Sequence, residues 1–338
     1  MSHDGGILVK YKNNLHARKG FTLLELIVAI AIGLIIAAAA MQLFIGGFLT
    51  SRMQEANAEL QNSGIFGLDY MTRDIRLANF GNTRPDLNDQ TPRGGIILTA
   101  RDAVDTNTNI TFPSSAPFIS KGLLSHSKGN QEDVSGVKNE WQGLSNVNQT
   151  SDQLTIQFVA PNEMVNCEGN NVQEGDYVIQ RYFLRQDPAD ASSGNNFALA
   201  CDANTPTASG VTPVANPSTI SGFGDAGQVI MPRVDHFVVQ LGVRDSNNRL
   251  AYYSINQYRA EASKARAKTP AVVPPRIVAV KIAVLVRSMD DTKNQNIDLS
   301  KTISVLNQDI TLKDTSTLYA RRVYSTTVAL RNGLGVPK

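Results

Sequence analysis

Few side chains in this chain could do acid–base or metal chemistry. Asp235 and His236 are adjacent in VDHFVVQLGVR (234–244), and with a serine hydroxyl they could form a hydrolytic relay. No nucleophile-elbow G-x-S-x-G accompanies them, so His236 reads as an ordinary strand residue. Of the remaining histidines, His3 and His16 lie near the N-terminus and His126 stands alone. The stretch DDTKNQNID (290–298) has oxygen ligands at a spacing that would suit calcium. It lacks the glycine and terminal glutamate of an EF-hand loop and reads as a solvated turn. There is no His/Cys cluster with zinc spacing, no P-loop and no G-x-G-x-x-G after a strand. An enzyme is not expected, and no cofactor or metal is called for.

Glu25 is a candidate of another kind. It is the one ionisable side chain between Phe21 and Met41. At about 1.5 Å per residue that run covers roughly 30 Å, the hydrocarbon thickness of a bilayer. A carboxylate inside a membrane helix costs about 2.5–3.5 kcal/mol or more and needs a partner. If the chain is cut before Phe21, a new α-amino group arises one helical turn from Glu25. Amine and carboxylate could then pair, including between parallel neighbouring subunits, which would fix the axial register of one helix against the next. The alternative is a permanent single-pass anchor that tolerates its glutamate.

The residues before the run are basic. Lys10, Lys12, Arg18 and Lys19 against Asp4 sum to +3, so with +2 overall the remainder carries −1. A basic leader beside an apolar span predicts a cytoplasmic N-terminus and an exported body. No A-x-A cleavage site follows the run, so a cut, if made, comes before it. The near-neutral body has no electrostatic footprint for nucleic acid. Cys167 and Cys201, the two cysteines, both lie in the exported part, where a disulfide is expected; two free buried thiols are the alternative.

The elements that would position these residues follow from periodicity. After Thr50, Met53, Ala56, Leu60, Ile65, Leu68, Met71, Ile75 and Leu77 recur at three- and four-residue spacings, so the helix continues with one apolar face. Asn79-Phe80-Gly81-Asn82 followed by Pro85 is a stop signal, and Gly46-Gly47 is the expected place for a bend. Residues 82–150 are polar and loop-like, with Gly94–Thr99 as a possible strand and Trp141 anchoring a small cluster. Strands are predicted over 153–160, 176–185, 197–200, 234–244, 249–254, 276–287 and 318–330, with weak extension over 303–312 and a short helix over 255–268. Residues 205–227 form a Pro/Ser/Gly-rich excursion, and Arg73, Arg76, Arg321 and Arg322 read as surface or pairing charges.

Lys19-Gly20-Phe21-Thr22-Leu23-Leu24-Glu25 resembles the type IV prepilin leader: basic residues, glycine before the cut, phenylalanine after it, and glutamate as the fifth mature residue. The stretches 52–82, 277–288 and 319–332 are similar to the PilW family of large minor pilins of the type IVa pilus. The resemblance implies an α+β pilin-like fold. It has a cleaved leader (1–20), a long helix (21–80, membrane or filament core 21–49 and amphipathic 50–80) and a mainly antiparallel β head (81–338). It further implies cleavage between Gly20 and Phe21 by a prepilin peptidase, N-methylation of Phe21, and pairing of Glu25 with a neighbour's N-terminal amine. The partners implied are the peptidase, other minor pilins, a tip adhesin, the major pilin and the inner-membrane assembly platform. The role is structural, in priming pilus assembly, twitching motility and adhesion, first in the inner membrane with the head periplasmic and then at the pilus tip. Members often have cysteine where this chain has Asn82, which leaves Cys167 and Cys201 as the available pair. Competing readings are a minor pseudopilin of the J kind from type II secretion, and a membrane-anchored periplasmic hydrolase or binding protein.

Overall fold

The computed structural model describes residues 20–84, 86–100, 108–110, 119–127, 140–190, 195–206 and 220–333. The basic leader with His3 and His16, Pro85, and most of the polar stretches 105–118, 128–136 and 207–219 lie outside the described residues. The chain divides into two compact units, Met1–Ser51 and Arg52–Lys338.

The first unit contains the apolar part of helix α1 (Leu23–Leu77). Every side chain from Phe21 to Phe48 is exposed, as expected of a surface whose natural neighbours are lipid or other apolar helices rather than its own chain. Among the described residues α1 is the one helix long and apolar enough to cross a membrane. The helix is unbroken through Gly46-Gly47, the pair expected to bend it. Each glycine costs about 1 kcal/mol against alanine, which the intact hydrogen-bond ladder on either side outweighs, and Thr50 Oγ1 donates a further bond to the Gly46 carbonyl at 2.9 Å.

In the second unit, Ala56, Leu60, Gly64, Gly67, Leu68, Met71, Thr72 and Ile75 form the buried face of α1. Ile65, assigned to that face by its spacing, is 57% exposed; Gly64 and Gly67 continue the contact past it. A side chain at 64 would run into the Tyr324 ring and one at 67 into Met231, so both glycines set how closely the helix approaches the sheets. The helix ends with Asn79 at φ 69°, the left-handed cap conformation that asparagine tolerates. Asn332 then donates its side-chain N–H to the Arg76 carbonyl at 3.2 Å and accepts from Asn79 Nδ2 at 2.8 Å.

The strands are β1 (Leu154–Val159), β2 (Met164–Val165), β3 (Asn171–Val172), β4 (Tyr177–Gln186), β5 (Phe197–Ala203), β6 (Gln228–Met231), β7 (Val234–Arg244), β8 (Leu250–Ser254), β9 (Arg276–Arg287), β10 (Ile303–Val305), β11 (Gln308–Ile310) and β12 (Arg321–Ala329). They make two four-stranded antiparallel sheets, in the orders β1-β4-β5-β6 and β12-β9-β7-β8, plus the hairpins β2-β3 and β10-β11. Helix α2 (Ile255–Arg266) follows β8 through a capping box in which the Gln257 N–H donates to Ser254 Oγ at 3.2 Å and the Ser254 N–H to Gln257 Oε1 at 2.9 Å.

One core joins the buried face of α1, the inner faces of both sheets and α2, through residues such as Leu60, Met71, Ile156, Phe237, Ile282 and Tyr258. Because side chains alternate along a strand, Val280, Ile282 and Val284 of β9 enter this core while Ala283 and Leu285 face the opposite way, under β10-β11. Both faces of β9 are therefore covered, which is why its sequence reads as an almost unbroken apolar run. Ile97, Leu123 and Leu124 similarly cover Tyr177 and Ile179 on the outer face of the first sheet. The expected strand over 94–99 is reduced to a single bridge, Ile96 to Ile156, although it runs beside β1 with Ile97 N–H donating to the Thr155 carbonyl at 2.9 Å.

Candidate functional site

Gly20 and Phe21 lie just ahead of α1, outside any helical turn, and Phe21 is 90% exposed. Thr22 is the residue before the first helical position, and Glu25 is third in the helix. Their side chains close a reciprocal cap. The Thr22 N–H and Oγ1–H both donate to Glu25 Oε2, at 3.0 and 3.1 Å, and the Glu25 N–H donates to Thr22 Oγ1 at 3.3 Å. This satisfies N–H groups that a helix start otherwise leaves open, and it sets a carboxylate against the positive end of the helix dipole. Glu25 thus has a partner within its own chain, in addition to any amine that cleavage before Phe21 would create. The signal was the pattern T-x-x-E directly before an apolar run. Both bonds to the carboxylate fall on Oε2, and no bond to Oε1 occurs among the described residues.

Cys167, in the β2-β3 turn, and Cys201, in β5, are joined by a disulfide with a Cα–Cα distance of 6.0 Å, and both are buried. Asn166 shapes the turn by accepting from the Glu168 and Asn170 N–H groups at 3.0 and 2.9 Å. The bond brings together the residues that follow each cysteine: Glu168, Asp202 and also Asp225 place carboxylate oxygens within 4.8 Å of one another. Arg181, wholly buried in β4, donates to Asp202 through Nε at 3.0 Å and to the Asp225 carbonyl at 2.9 Å, with its guanidinium carbon 3.8 Å from the centre of the Phe183 ring. Burial pushes the Asp202 carboxyl up and the Arg181 guanidinium down, while each opposes the other's shift. No spacing in the sequence points to this group, because its members come from three separate segments.

The Asp235-His236 pair does not form a relay. His236 Nδ1 lies 3.3 Å from Ser145 Oγ and 3.2 Å from Ser151 Oγ, and its Nε2 is 3.0 Å from Gln308 Oε1. The Asp235 carboxylate points elsewhere: it accepts from Arg321 Nε at 2.8 Å and Asn146 Nδ2 at 2.8 Å, and sits 3.2 Å from Arg287 Nε. Both guanidiniums lie over the Tyr319 ring, at 4.4 and 5.5 Å. Arg321 is thereby a buried pairing charge that fastens β12 to β7. In 290–298, Asp291 binds Lys293 at 2.7 Å and Asp298 caps the Ser300 N–H at 2.9 Å, so these carboxylates are engaged locally. Trp141 stacks on His126 with ring centres 5.1 Å apart, and burial lowers the His126 imidazole to about 4.

Comparison with known families gives two matches. Residues 15–41 match the prokaryotic N-terminal methylation motif, and residues 181–332 match the family described as type IV pilus-assembly protein W, PilW. No curated protein matches the chain. Among solved structures, the chain is similar to the type IV-like pilin TTHA1219 from Thermus thermophilus, at 10% identity over 82% of this chain and 98% of that one, with a TM-score of 0.34. The methylation motif thus spans the Thr22–Glu25 cap, and from Arg181 through Asn332 the chain is similar to the PilW family of type IV pilus-assembly proteins.

Proposed function

We propose that this chain is a minor pilin that helps to initiate type IV pilus assembly. A prepilin peptidase would cut between Gly20 and Phe21 and methylate the new Phe21 amine. Before assembly α1 would reside in the inner membrane, with the N-terminus cytoplasmic and the head, residues 81–338, periplasmic. On extraction its apolar half would join the filament core, beside other minor pilins and the major pilin, with the chain at or near the tip. The role is structural, without catalysis of its own.

The observation that carries this reading is the run Gly20-Phe21-Thr22-Leu23-Leu24-Glu25 at the head of the exposed apolar half of α1, within the matched methylation motif. Glu25 Oε1 remains open for the amine of an adjacent subunit, and such a pair would offset the carboxylate's cost in hydrocarbon. The PilW match over the head favours a pilus over a secretion pseudopilus.

Intact-mass measurement tests the reading. Gly20→Asp should leave the chain heavier by its twenty leader residues, whereas normal processing would sink the leader assignment. Glu25→Ala should be cut normally yet fail to support surface pili. Deletion of the gene should abolish twitching motility and leave protein secretion intact; the reverse result would assign the chain to secretion.

A further inference from the structure

The turn that carries Cys167 is held from two sides. Toward α1, Tyr70 Oη donates to the Cys167 carbonyl at 3.2 Å. The Gln180 amide, in the orientation that satisfies both its ends, accepts from the Cys167 N–H at 3.0 Å and donates to Asp74 Oδ2 at 3.0 Å. Buried Tyr182 donates to the same Asp74 oxygen at 2.8 Å. A polar chain therefore runs from α1, through β4, to the disulfide turn. On the other side, the disulfide sets Glu168 against Asp202 and Asp225.

Charge balance on this side is unfavourable. Three carboxylates crowd together, and the cation in contact, Arg181, is committed to Asp202 and to the Asp225 carbonyl. Like charges this close do not all ionise at neutral pH. Burial first, then the charges of Asp225 and Asp202, push Glu168 up to about 7, against the pull of the Ala203 backbone and Arg181. Asp74 is pushed to about 6 by burial, opposed by Tyr182 and Arg73. Tyr70 faces Asp74 as well, and its hydroxyl is raised by burial and by that carboxylate.

We propose that the Cys167 turn is a proton-operated clasp on α1: it is held while one carboxylate of the Glu168–Asp202–Asp225 group is protonated, and it loosens when that proton leaves. Groups raised on folding stabilise the folded state fully below their unfolded values, and that contribution is lost as pH rises through the folded values. For Glu168 the loss falls between about pH 4.5 and pH 7. Acidification tightens the clasp, the opposite of the usual behaviour of paired carboxylates.

The test is hydrogen–deuterium exchange of the full-length, oxidised protein in detergent micelles with a chelator present, followed over residues 166–172 from pH 5 to pH 8.5 and corrected for intrinsic rates. Protection of the turn should be about tenfold greater at pH 5, as expected when a shift of a unit or more is lost. Glu168→Gln should keep the turn protected at pH 8.5, and Asp225→Asn, at an exposed position, should do the same. The clasp is overturned if wild-type protection does not change with pH, or if both variants retain the wild-type pH dependence. It is equally overturned if protection in chelator is flat with pH and rises only on adding calcium, which would assign the carboxylates to a cation.

Discussion

Thr22 and Glu25 satisfy each other across the first turn of α1, with three hydrogen bonds of 3.0–3.3 Å between them. A glutamate in an apolar helix is therefore not left alone while its chain waits as a monomer. The neighbour's amine, in the proposed assembly, adds to an arrangement that already exists. It does not have to create one.

Removing the threonine hydroxyl tests this directly. Thr22→Val should weaken the start of α1 by about 1 kcal/mol, the usual worth of such a cap, read as faster amide exchange at Leu24 and Glu25 in detergent micelles. Thr22→Ser keeps the oxygen and should restore most of the protection. Equal exchange in the two variants would show that the cap carries no weight.

Asp235 joins β7 to β9 and β12 through Arg287 and Arg321. Asp235→Asn leaves two guanidiniums buried without a counter-charge and should destabilise the head by about 3–5 kcal/mol in chemical denaturation. His236→Gln, which can keep a bond to the serines, should cost far less. A comparable loss in both variants would count against the assignment of the ionic role to Asp235 alone.

The Cys167–Cys201 bond closes a separation of 34 residues. Its loss in Cys201→Ser should lower stability by about 4 kcal/mol in the chain-entropy description, and free thiols should be absent from the purified, unreduced wild-type protein on non-reducing mass spectrometry. Labelling of both cysteines in that protein would refute the pairing.

Gly64 lets the Tyr324 ring lie against α1. Gly64→Ala should cost about 1–3 kcal/mol through overpacking, less whatever alanine's better helix propensity returns. Combining it with Tyr324→Ala should cost less than the sum of the two single changes. Additive losses would mean that the ring and the glycine do not share the contact.

Much of this molecule is written in local pattern. The apolar run with its single glutamate, the alternation in 276–287 and the turn after Arg244 each depend on near neighbours, and the chain folds accordingly into α1, β9 and the β7-β8 hairpin. What local pattern does not carry is which segments meet. Ile65 and Gly64 differ in hydropathy in favour of Ile65, yet the glycine is buried, because the ring it faces comes from 260 residues further on. The Glu168–Asp202–Asp225 group likewise exists only once the disulfide and the 220–227 segment are in place. The Thr22–Glu25 cap is the exception: both residues lie within one helical turn, so T-x-x-E before an apolar run specifies it locally.

Asn332 donates to the carbonyl of Arg76, at the end of a helix that begins at Leu23. In order of synthesis these two residues are made at nearly opposite times. The helix leaves the ribosome first, and its last turn lacks this donor until Asn332 has been made and has reached it. Closure of that turn is then a late event, and on the proposed route it would distinguish a fully exported head from a chain still in transit.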